Sequence, residues 1–390
     1  MNAIILSAGN SSRMYESGGT LPKGLLPILG IPNIERTILM LHMIDIYEII
    51  IAVPCYSTQF DYLAEKYSCT IIHVPRENKN TLTSINYLLE YINDSFIIEG
   101  DVVCSKNIFR TFEHSTYYVM RYIYPECDEW NVVTDSYNNI IGFEIGTHRT
   151  PAIFGISFWA QKDCLLLKTH LRLQLQNRQA NEVDCFWDDN ISDLFGKICL
   201  KIYEINSNTA CEMNTMSEYQ YAISLCEKML MLPDIYFDNT YIRKGHINFL
   251  ICSSKDKEIN LRWLEKLFTY YNDSLVPKES DCYDYWYNPK ESVYIIKDNE
   301  NQEVAFFSFI IEKKFILLRR LFINPSFRAK SLGKDLLNNL KLYALFCNKE
   351  LRVNTYDEIA ASFYVHLGAE KLFSTYHWKL SGNDKGDKIE

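Results

Sequence analysis

The chain has 390 residues, 47% of them apolar, which is long for a single hydrophobic core and predicts two domains. A formal net charge of −9 without any basic cluster excludes a general nucleic-acid binder. It leaves room for an enzyme that binds a nucleotide, provided metal ions and a few placed cations neutralise the phosphates.

Asn2-Ala3-Ile4-Ile5-Leu6 is apolar and rich in β-branched residues, with no helical period, and reads as a buried strand. It feeds a small-residue loop, Ser7-Ala8-Gly9-Asn10-Ser11-Ser12-Arg13-Met14; after Ser17-Gly18-Gly19 comes Pro22-Lys23-Gly24-Leu25-Leu26-Pro27. Small side chains let backbone N–H groups approach a polyphosphate, and Arg13 and Lys23 supply the positive charge. No Lys-Ser/Thr pair closes the loop, so it is not a Walker A motif.

Ile34, Ile38 and Leu41 mark a helix face, and Ile49 to Val53 and Thr70 to Val74 are strands bounded by prolines. Leu82, Ile85, Leu89 and Ile92 repeat at helical spacing before a fourth strand, Phe96-Ile97-Ile98. This alternation predicts a parallel, doubly wound sheet whose ligands bind beyond the carboxyl ends of its strands. The Gly9 loop and Asp101 would share that edge. A carboxylate facing a polyphosphate is repelled unless a divalent cation intervenes, so Asp101 implies Mg²⁺. Glu99 is a weaker neighbour with the option of facing the other way.

From Ser115 to Trp159 the pattern turns β-rich: Thr116 to Tyr122, Trp130 to Thr134, Ile140 to Ile145 and Ile153 to Trp159. These read as an antiparallel extension walling an acceptor pocket. A helix is expected from Leu165 to Leu175. Val183-Asp184-Cys185-Phe186-Trp187-Asp188-Asp189-Asn190 interleaves carboxylates with aromatics, which is costly to bury unpaired; it is a site segment or a surface loop. A strand, Leu200 to Ile205, precedes Glu212-Met213-Asn214-Thr215 and a helix, Glu218 to Leu230.

Residues 231–245 read as a connector. Beyond it lie a strand, Ile247 to Ile251, and a helix marked by Leu261, Leu264 and Phe268. Strands Val293 to Lys297, Val304 to Glu312 and Phe315 to Ile323 then form an antiparallel sheet, with turns at Asp298-Asn299 and Lys313-Lys314. The last strand runs into Asn324-Pro325-Ser326-Phe327-Arg328-Ala329-Lys330-Ser331-Leu332-Gly333-Lys334 and a helix, Asp335 to Leu345.

Residues 1 to about 230 resemble the CTP:phosphocholine cytidylyltransferases. The resemblance runs through Ala8-Gly9, Ser12-Arg13-Met14, Pro22 to Pro27, Asn80, Asp101, Glu129-Trp130, Phe154 to Trp159, Phe186-Trp187-Asp188 and Glu212. It implies an α/β nucleotidyltransferase (Rossmann-like) mixed sheet with helices on both faces. It also implies a nucleotide set of Leu6, Ser7, Ala8, Gly9, Asn10, Ser11, Ser12, Arg13, Lys23, Asn80, Thr81, Ser84 and Gly100. Lys23 and Arg13 would grip the phosphates of CTP and act in catalysis with Asp101, and Asp101 and Asp188 would hold Mg²⁺. Trp130, Asp184, Phe186, Trp187 and Glu212 would form the headgroup pocket. Aromatic faces ringed by negative charge suit a quaternary ammonium, which donates no ordinary hydrogen bond.

Three departures stand out. Ser11 sits where a second loop glycine is frequent, Asn214 where an aspartate is expected, and Phe186 replaces a tyrosine. The headgroup therefore stays open among phosphocholine, which the cage residues favour, phosphoethanolamine and an aminoalkylphosphonate. A sugar 1-phosphate nucleotidyltransferase is a further alternative.

Residues from about 245 to 380 resemble GNAT acetyltransferases, an α+β fold, through the Asn324 to Lys334 loop and Phe363-Tyr364 with Leu367-Gly368-Ala369. The resemblance implies an acetyl-CoA set of Phe322, Ile323, Arg328, Ala329, Lys330, Ser331, Leu332, Gly333 and Lys334, with Tyr364 protonating the departing thiolate. Ser331 replaces the first glycine of the usual loop pair. Glu312 reads as a hairpin-turn carboxylate, and no base is evident. The expected organisation is a cytidylyltransferase domain over 1–230, a linker over 231–245 and a GNAT-like domain over 246–390. A non-catalytic sensor of nucleotide or CoA is the alternative of another class.

The 12 cysteines are scattered, without a Cys-x-x-Cys pair or zinc-like Cys/His spacing. Cys104, Cys164 and Cys252 sit among apolar residues, as small core residues do. With no stretch long enough for a signal peptide or membrane span, a cytoplasmic enzyme is expected, with small-molecule partners and no nucleic acid.

Overall fold

The computed structural model describes residues 1–75, 81–121, 129–146, 151–177, 186–238, 240–244, 247–270, 288, 290–328, 331–355, 358–372 and 375–378. The chain forms two compact units, Met1–Cys226 and Glu227–Glu390, and the division falls inside one helix, Met216–Met231.

In the first unit β1 (Asn2–Leu6) is buried along its whole length, because it lies mid-sheet between two parallel neighbours. These are β2 (Ile49–Pro54) and β4 (Ser95–Glu99), and β3 (Thr70–Val74) extends the parallel side beyond β2. The other side is antiparallel, with β9 (Ala152–Trp159) against β4. Beyond β9 lie β7 (Trp130–Thr134) and β8 (Ile140–Ile145), while β6 (Thr116–Met120) carries β10 (Lys201–Ile205) as a parallel partner. The sheet is therefore mixed, with its strand order centred on β1 and β4.

A separate ladder joins β5 (Val102–Cys104) to β11 (Ala210–Glu212). Around it Met14, Leu26, Val103, Met213 and Ala222 make a second apolar cluster. Met14 is the one buried residue of α1 (Ser12–Glu16), so this cluster ties the loop after β1 to the segment after β11. Next come α2 (Asn33–His42) and α3 (Tyr62–Tyr67). The helix expected through Ile92 is instead short, α4 (Thr81–Asn86), followed by a 3₁₀ turn at Leu89–Tyr91. The Tyr91 carbonyl is taken by the Asn2 amide and the Ser95 hydroxyl, which competes with helical bonding there. α5 (Gln161–Asn177) and α6 (Met216–Met231) follow, each longer than its apolar pattern indicated.

The stretch expected as a linker is structured. Pro233 opens α7 (Pro233–Phe237), whose Tyr236 and Phe237 are buried, and β12 (Thr240–Lys244) is the first strand of the second sheet. Polar composition hid the two aromatic anchors that fold it. Its order is β12-β13-β14-β15-β16-β17-β19-β18, with β13 (Ile247–Ser253), β14 (Glu291–Lys297), β15 (Glu303–Ile311), β16 (Phe315–Ile323), β17 (Glu350–Asn354), β18 (Glu370–Leu372) and β19 (Thr375–Trp378).

Among the described residues of this sheet only β16 and β17 run parallel, and the other pairs are antiparallel. The middle strands are covered on both faces. Trp263 of α8 (Lys257–Tyr270) stacks on Phe306 at 5.9 Å on one face. On the other, Phe237 and Tyr343 pack with Tyr294, Phe307 and Phe309. Tyr343 belongs to α10 (Leu332–Phe346), which follows the short α9 (Pro325–Arg328); α11 (Glu358–His366) comes last. The nine described cysteines are free thiols, with Cys104 and Cys164 buried and Cys252 half-buried. Among the described residues no helix is long and apolar enough to cross a membrane.

Candidate active site

The carboxyl ends of β1, β2 and β4 meet through backbone bonds from Ser7 N–H to the Ala52 carbonyl and from Gly100 N–H to the Leu6 carbonyl, each 2.9 Å. A Cβ on Gly100 would lie 2.3 Å from Ser7 Oγ and 2.8 Å from the Leu6 carbonyl oxygen, so only glycine lets β4 end this close to the loop. Between these strand ends opens a cleft of about 260 Å³. Residues Leu6 through Arg13 line it with Lys23, Thr81, Ser84 and Gly100, so every described member of the expected nucleotide set faces one cavity. Asn80 lies outside the described residues. Ser11 adopts φ 51°, the left-handed region that favours glycine.

The charged groups converge at one point. Lys23 Nζ donates to Asp101 Oδ2 at 2.9 Å and to Asn214 Oδ1 at 2.5 Å, and Arg13 Nη2 donates to the same Asn214 oxygen at 2.8 Å. Two features place Asn214 there. The β5–β11 ladder continues in a bond from Met213 N–H to the Asp101 carbonyl, and Thr215 with Glu218 forms a capping box at the start of α6. Asn214 N–H donates to Glu218 Oε2 as well. In sequence Asn214 is visible only as a departure from the family pattern, although the Thr-x-x-Glu signature after it announces a rigid helix start.

Glu99 belongs to the same cluster. It does not turn away: its carboxyl feels Asp101, Asp188 and Glu212, and desolvation, followed by these charges, raises its pKa well above the usual range. Burial likewise raises Glu212 to about 8, helped by Asp101 and Glu129, and Asp188 to about 7, helped by Asp189. Glu129, beside Trp130, is raised by burial and by Glu218. So many carboxyls in one enclosed region call for a cation between them.

The remaining expected residues divide. Asp188, expected with Asp101 in a metal site, accepts the hydroxyl of Tyr117, and both aspartates act on the Glu99 carboxyl, while Asp101 also pairs with Lys23. Among the described residues no three His, Cys, Asp or Glu side chains make a metal cluster. Trp187, expected as a cage face, is instead 2% exposed and stacks on Tyr117 within the core, reaching the site by a side-chain hydrogen bond to Glu99 and a backbone one to Thr81 Oγ1 at 3.0 Å. Its flat apolar area finds more burial there than a polar cleft offers. Phe186 is 55% exposed and lines the cleft, while Trp130 is half-buried and packs on Phe143 at 5.7 Å. Asp184 lies outside the described residues.

In the second unit β16 runs through a turn into α10. Phe322 is buried in the core, Arg328 Nε donates to the Ile323 carbonyl at 3.0 Å, and Ser331 takes φ 53° immediately before Leu332. Lys334 N–H closes the turn on the Ser331 carbonyl at 3.0 Å. A Cβ on Gly333 would lie 2.9 Å from Ile323 Cδ1 and 3.2 Å from Phe363, so strand, helix and α11 meet at that glycine. Tyr364, the next residue on α11, is 7% exposed. Ala329 and Lys330 lie outside the described residues, and Glu312 is exposed at its hairpin turn.

With this geometry in place, the sequence matches the MobA-like NTP transferase domain over residues 3–118 and the GNAT acetyltransferase domain over residues 289–368. It is 32% identical over 225 residues to the choline-phosphate cytidylyltransferase of Haemophilus influenzae, covering 57% of this chain and 96% of that protein. It is 27% identical over 222 residues to the 2-aminoethylphosphonate cytidylyltransferase of Lancefieldella rimae, covering 56% of this chain and 89% of that protein. The solved CTP:phosphocholine cytidylyltransferase of Streptococcus pneumoniae superposes with a TM-score of 0.52 at 26% identity, over 58% of this chain and 98% of that one. Through its first unit the chain belongs to the choline-phosphate cytidylyltransferase family, and its second carries a fused GNAT acetyltransferase domain.

Proposed function

We propose that the first unit transfers CMP from CTP to a small phosphoryl-bearing amine of the phosphocholine class, releasing pyrophosphate. The acceptor's phosphate oxygen attacks the α-phosphorus and the pyrophosphate leaves, with no covalent enzyme intermediate, since the nucleophile is already an anion. The loop amides of Ala8 to Ser12 would hold the triphosphate, and Lys23 and Arg13 would neutralise charge that grows in the transition state. The observation that carries this reading is the meeting of Lys23, Arg13, Asp101 and Asn214 at the mouth of the loop cleft.

The same geometry fits Mg²⁺. Lys23 Nζ sits between two oxygens, Asp101 Oδ2 and Asn214 Oδ1, as a stand-in cation, and an all-oxygen pair suits a hard divalent ion. Asp101 and Asn214 would hold it, and when bound it would screen the repulsion between the two phosphates. Asp188, which shares the Glu99 carboxyl's surroundings with Asp101, would be the second carboxylate for that ion, and Glu212, Glu129, Trp130 and Phe186 would supply negative charge and aromatic surface to the cationic headgroup.

A second reading, a primary amine such as phosphoethanolamine or aminoethylphosphonate, is favoured by one observation. Trp187 is withdrawn into the core, leaving fewer aromatic faces and more hydrogen-bond acceptors for an N–H-bearing headgroup. Pyrophosphate release from CTP, measured against phosphocholine, phosphoethanolamine, aminoethylphosphonate and glucose 1-phosphate, tests both. Turnover only with the sugar phosphate would refute the cationic pocket.

A further inference from the structure

The second unit carries a knot of charge on one face of its sheet that its acetyltransferase fold does not by itself require. Glu291, the first residue of β14, has a fully shielded side chain. It accepts a hydrogen bond from Ser308 Oγ of β15 at 2.5 Å and pairs with Arg320 of β16, while Arg319 Nε lies 3.8 Å from its second oxygen. Successive residues of a strand ordinarily face opposite ways. Here the β15–β16 register slips, Ser308 facing Arg320 and Phe309 facing Leu318, so Arg319 is the extra residue of a bulge. A bulge re-aims side chains, and this one brings two consecutive arginines to one carboxylate.

Glu291 is already satisfied by Ser308 and Arg320 at one oxygen and by the Asn288 N–H at the other, 3.3 Å away. Arg319 is attracted to it without hydrogen-bonding it, and its side chain is 35% exposed. The bulge also coincides with an opening in the sheet. The parallel ladder between β16 and β17 stops at Leu318 and Val353, so Arg319 to Ile323 have no strand neighbour on that edge among the described residues. The same strand then leads through Ile323 into the turn before α10.

We infer that Arg319, positioned by Glu291 and Arg320, binds the phosphoryl or phosphonyl group of the acetyl acceptor, a small primary amine bearing that anion. A guanidinium presents paired N–H donors that match such a group, whereas a purely structural Glu291–Arg320 pair needs no second arginine. In the transfer the amine lone pair attacks the thioester carbon of acetyl-CoA. The N–C bond forms, the C–S bond breaks, the proton lost by nitrogen balances the one gained by the CoA thiolate, and the phosphoryl group is unchanged. Phosphocholine is excluded as acceptor, because its nitrogen has neither a lone pair nor a proton. The inference rests on the use of acetyl-CoA by this unit and is independent of the CTP reaction.

The test measures CoA release by the full-length protein with ethanolamine, phosphoethanolamine, aminoethylphosphonate and phosphocholine, with pyrophosphate release from CTP followed in parallel. The two anionic primary amines should exceed ethanolamine at least 100-fold in kcat/KM, and phosphocholine should be silent. Arg319→Ala should raise KM for the anionic amines at least tenfold, and Arg319→Lys should recover part of that loss. Both variants should bind acetyl-CoA and unfold as the parent does, which shows that the second unit folds, and their pyrophosphate release should be unchanged. Equal use of ethanolamine, or an unchanged KM in Arg319→Ala, overturns the inference. Acetyl-CoA binding measured by calorimetry separates the failures. Binding without any preference for anionic amines overturns this inference alone, and no binding overturns the acetyl-CoA reading beneath it.

Discussion

The two units solve one backbone problem in two chemical settings. In each a strand of the central sheet leads into a helix through a serine at φ near 50°, Ser11 in the loop after a fully buried β1 and Ser331 after a half-buried β16 and the short α9. Around the first turn crowd Arg13, Lys23, Asp101 and Asn214. At the second, Leu332 is fully buried, Gly333 lies under Ile323 and Phe363, and Arg328 turns back to the Ile323 carbonyl. The difference follows from what each turn must do. Joining two phosphate anions needs cations and oxygen ligands placed against growing charge. Holding the diphosphate of a carrier needs chiefly amides and a shape, and the reacting thioester lies elsewhere.

The sharpest way to break that contrast is Lys23→Ala. It should lower CTP-dependent turnover by about 10³-fold or more, worth about 4 kcal/mol of transition-state stabilisation, and leave acetyl-CoA binding intact. Retained pyrophosphate release would make Lys23 a bystander and the charged turn incidental.

Acid separates the units next. Burial lowers the pKa of His42 in α2 from 6.5 to about 4. The fold therefore favours the neutral ring, and the unfolded chain binds the extra proton between those values. Its contribution, up to about 3 kcal/mol, is complete above pH 6.5 and is lost as pH falls towards 4. Asp188 and Glu212, raised by burial, contribute a slope of opposite sign over the same window, so the His42 part is read as the difference between wild type and His42→Gln in urea unfolding followed against pH.

On the apolar turn, Gly333→Ala forces a Cβ to 2.9 Å from Ile323 Cδ1. The expected result is a loss of about 1–2 kcal/mol from the second unit's unfolding free energy, with weaker acetyl-CoA binding and unaltered CTP turnover. Wild-type affinity and stability would show that strand and helix have slack there.

The smallest effects sharpen the comparison most. Ser11→Gly and Ser331→Gly each relieve a left-handed residue, for a gain of at most about 1 kcal/mol. Ser331 should gain more, because its side chain caps nothing, whereas Ser11 Oγ accepts a bond from Lys23 N–H at 3.3 Å. Equal gains in melting experiments would deny that bond any value.

What the amino-acid order alone determined was local. The apolar run of β1, the small residues from Ser7 to Ser12 and the strand-turn-helix around Ser331 are legible because neighbours in sequence remain neighbours in space. Tertiary structure decided the rest. Lys23 meets Asn214 across 191 residues, brought there by a two-strand ladder and a helix cap. Glu99 turns into the site through its strand's register, Trp187 leaves it for a deeper apolar refuge, and a one-residue slip aims Arg319 beside Arg320. Composition and spacing record what a residue is able to do. Which partner it meets depends on register and burial, quantities that exist only once distant segments have packed.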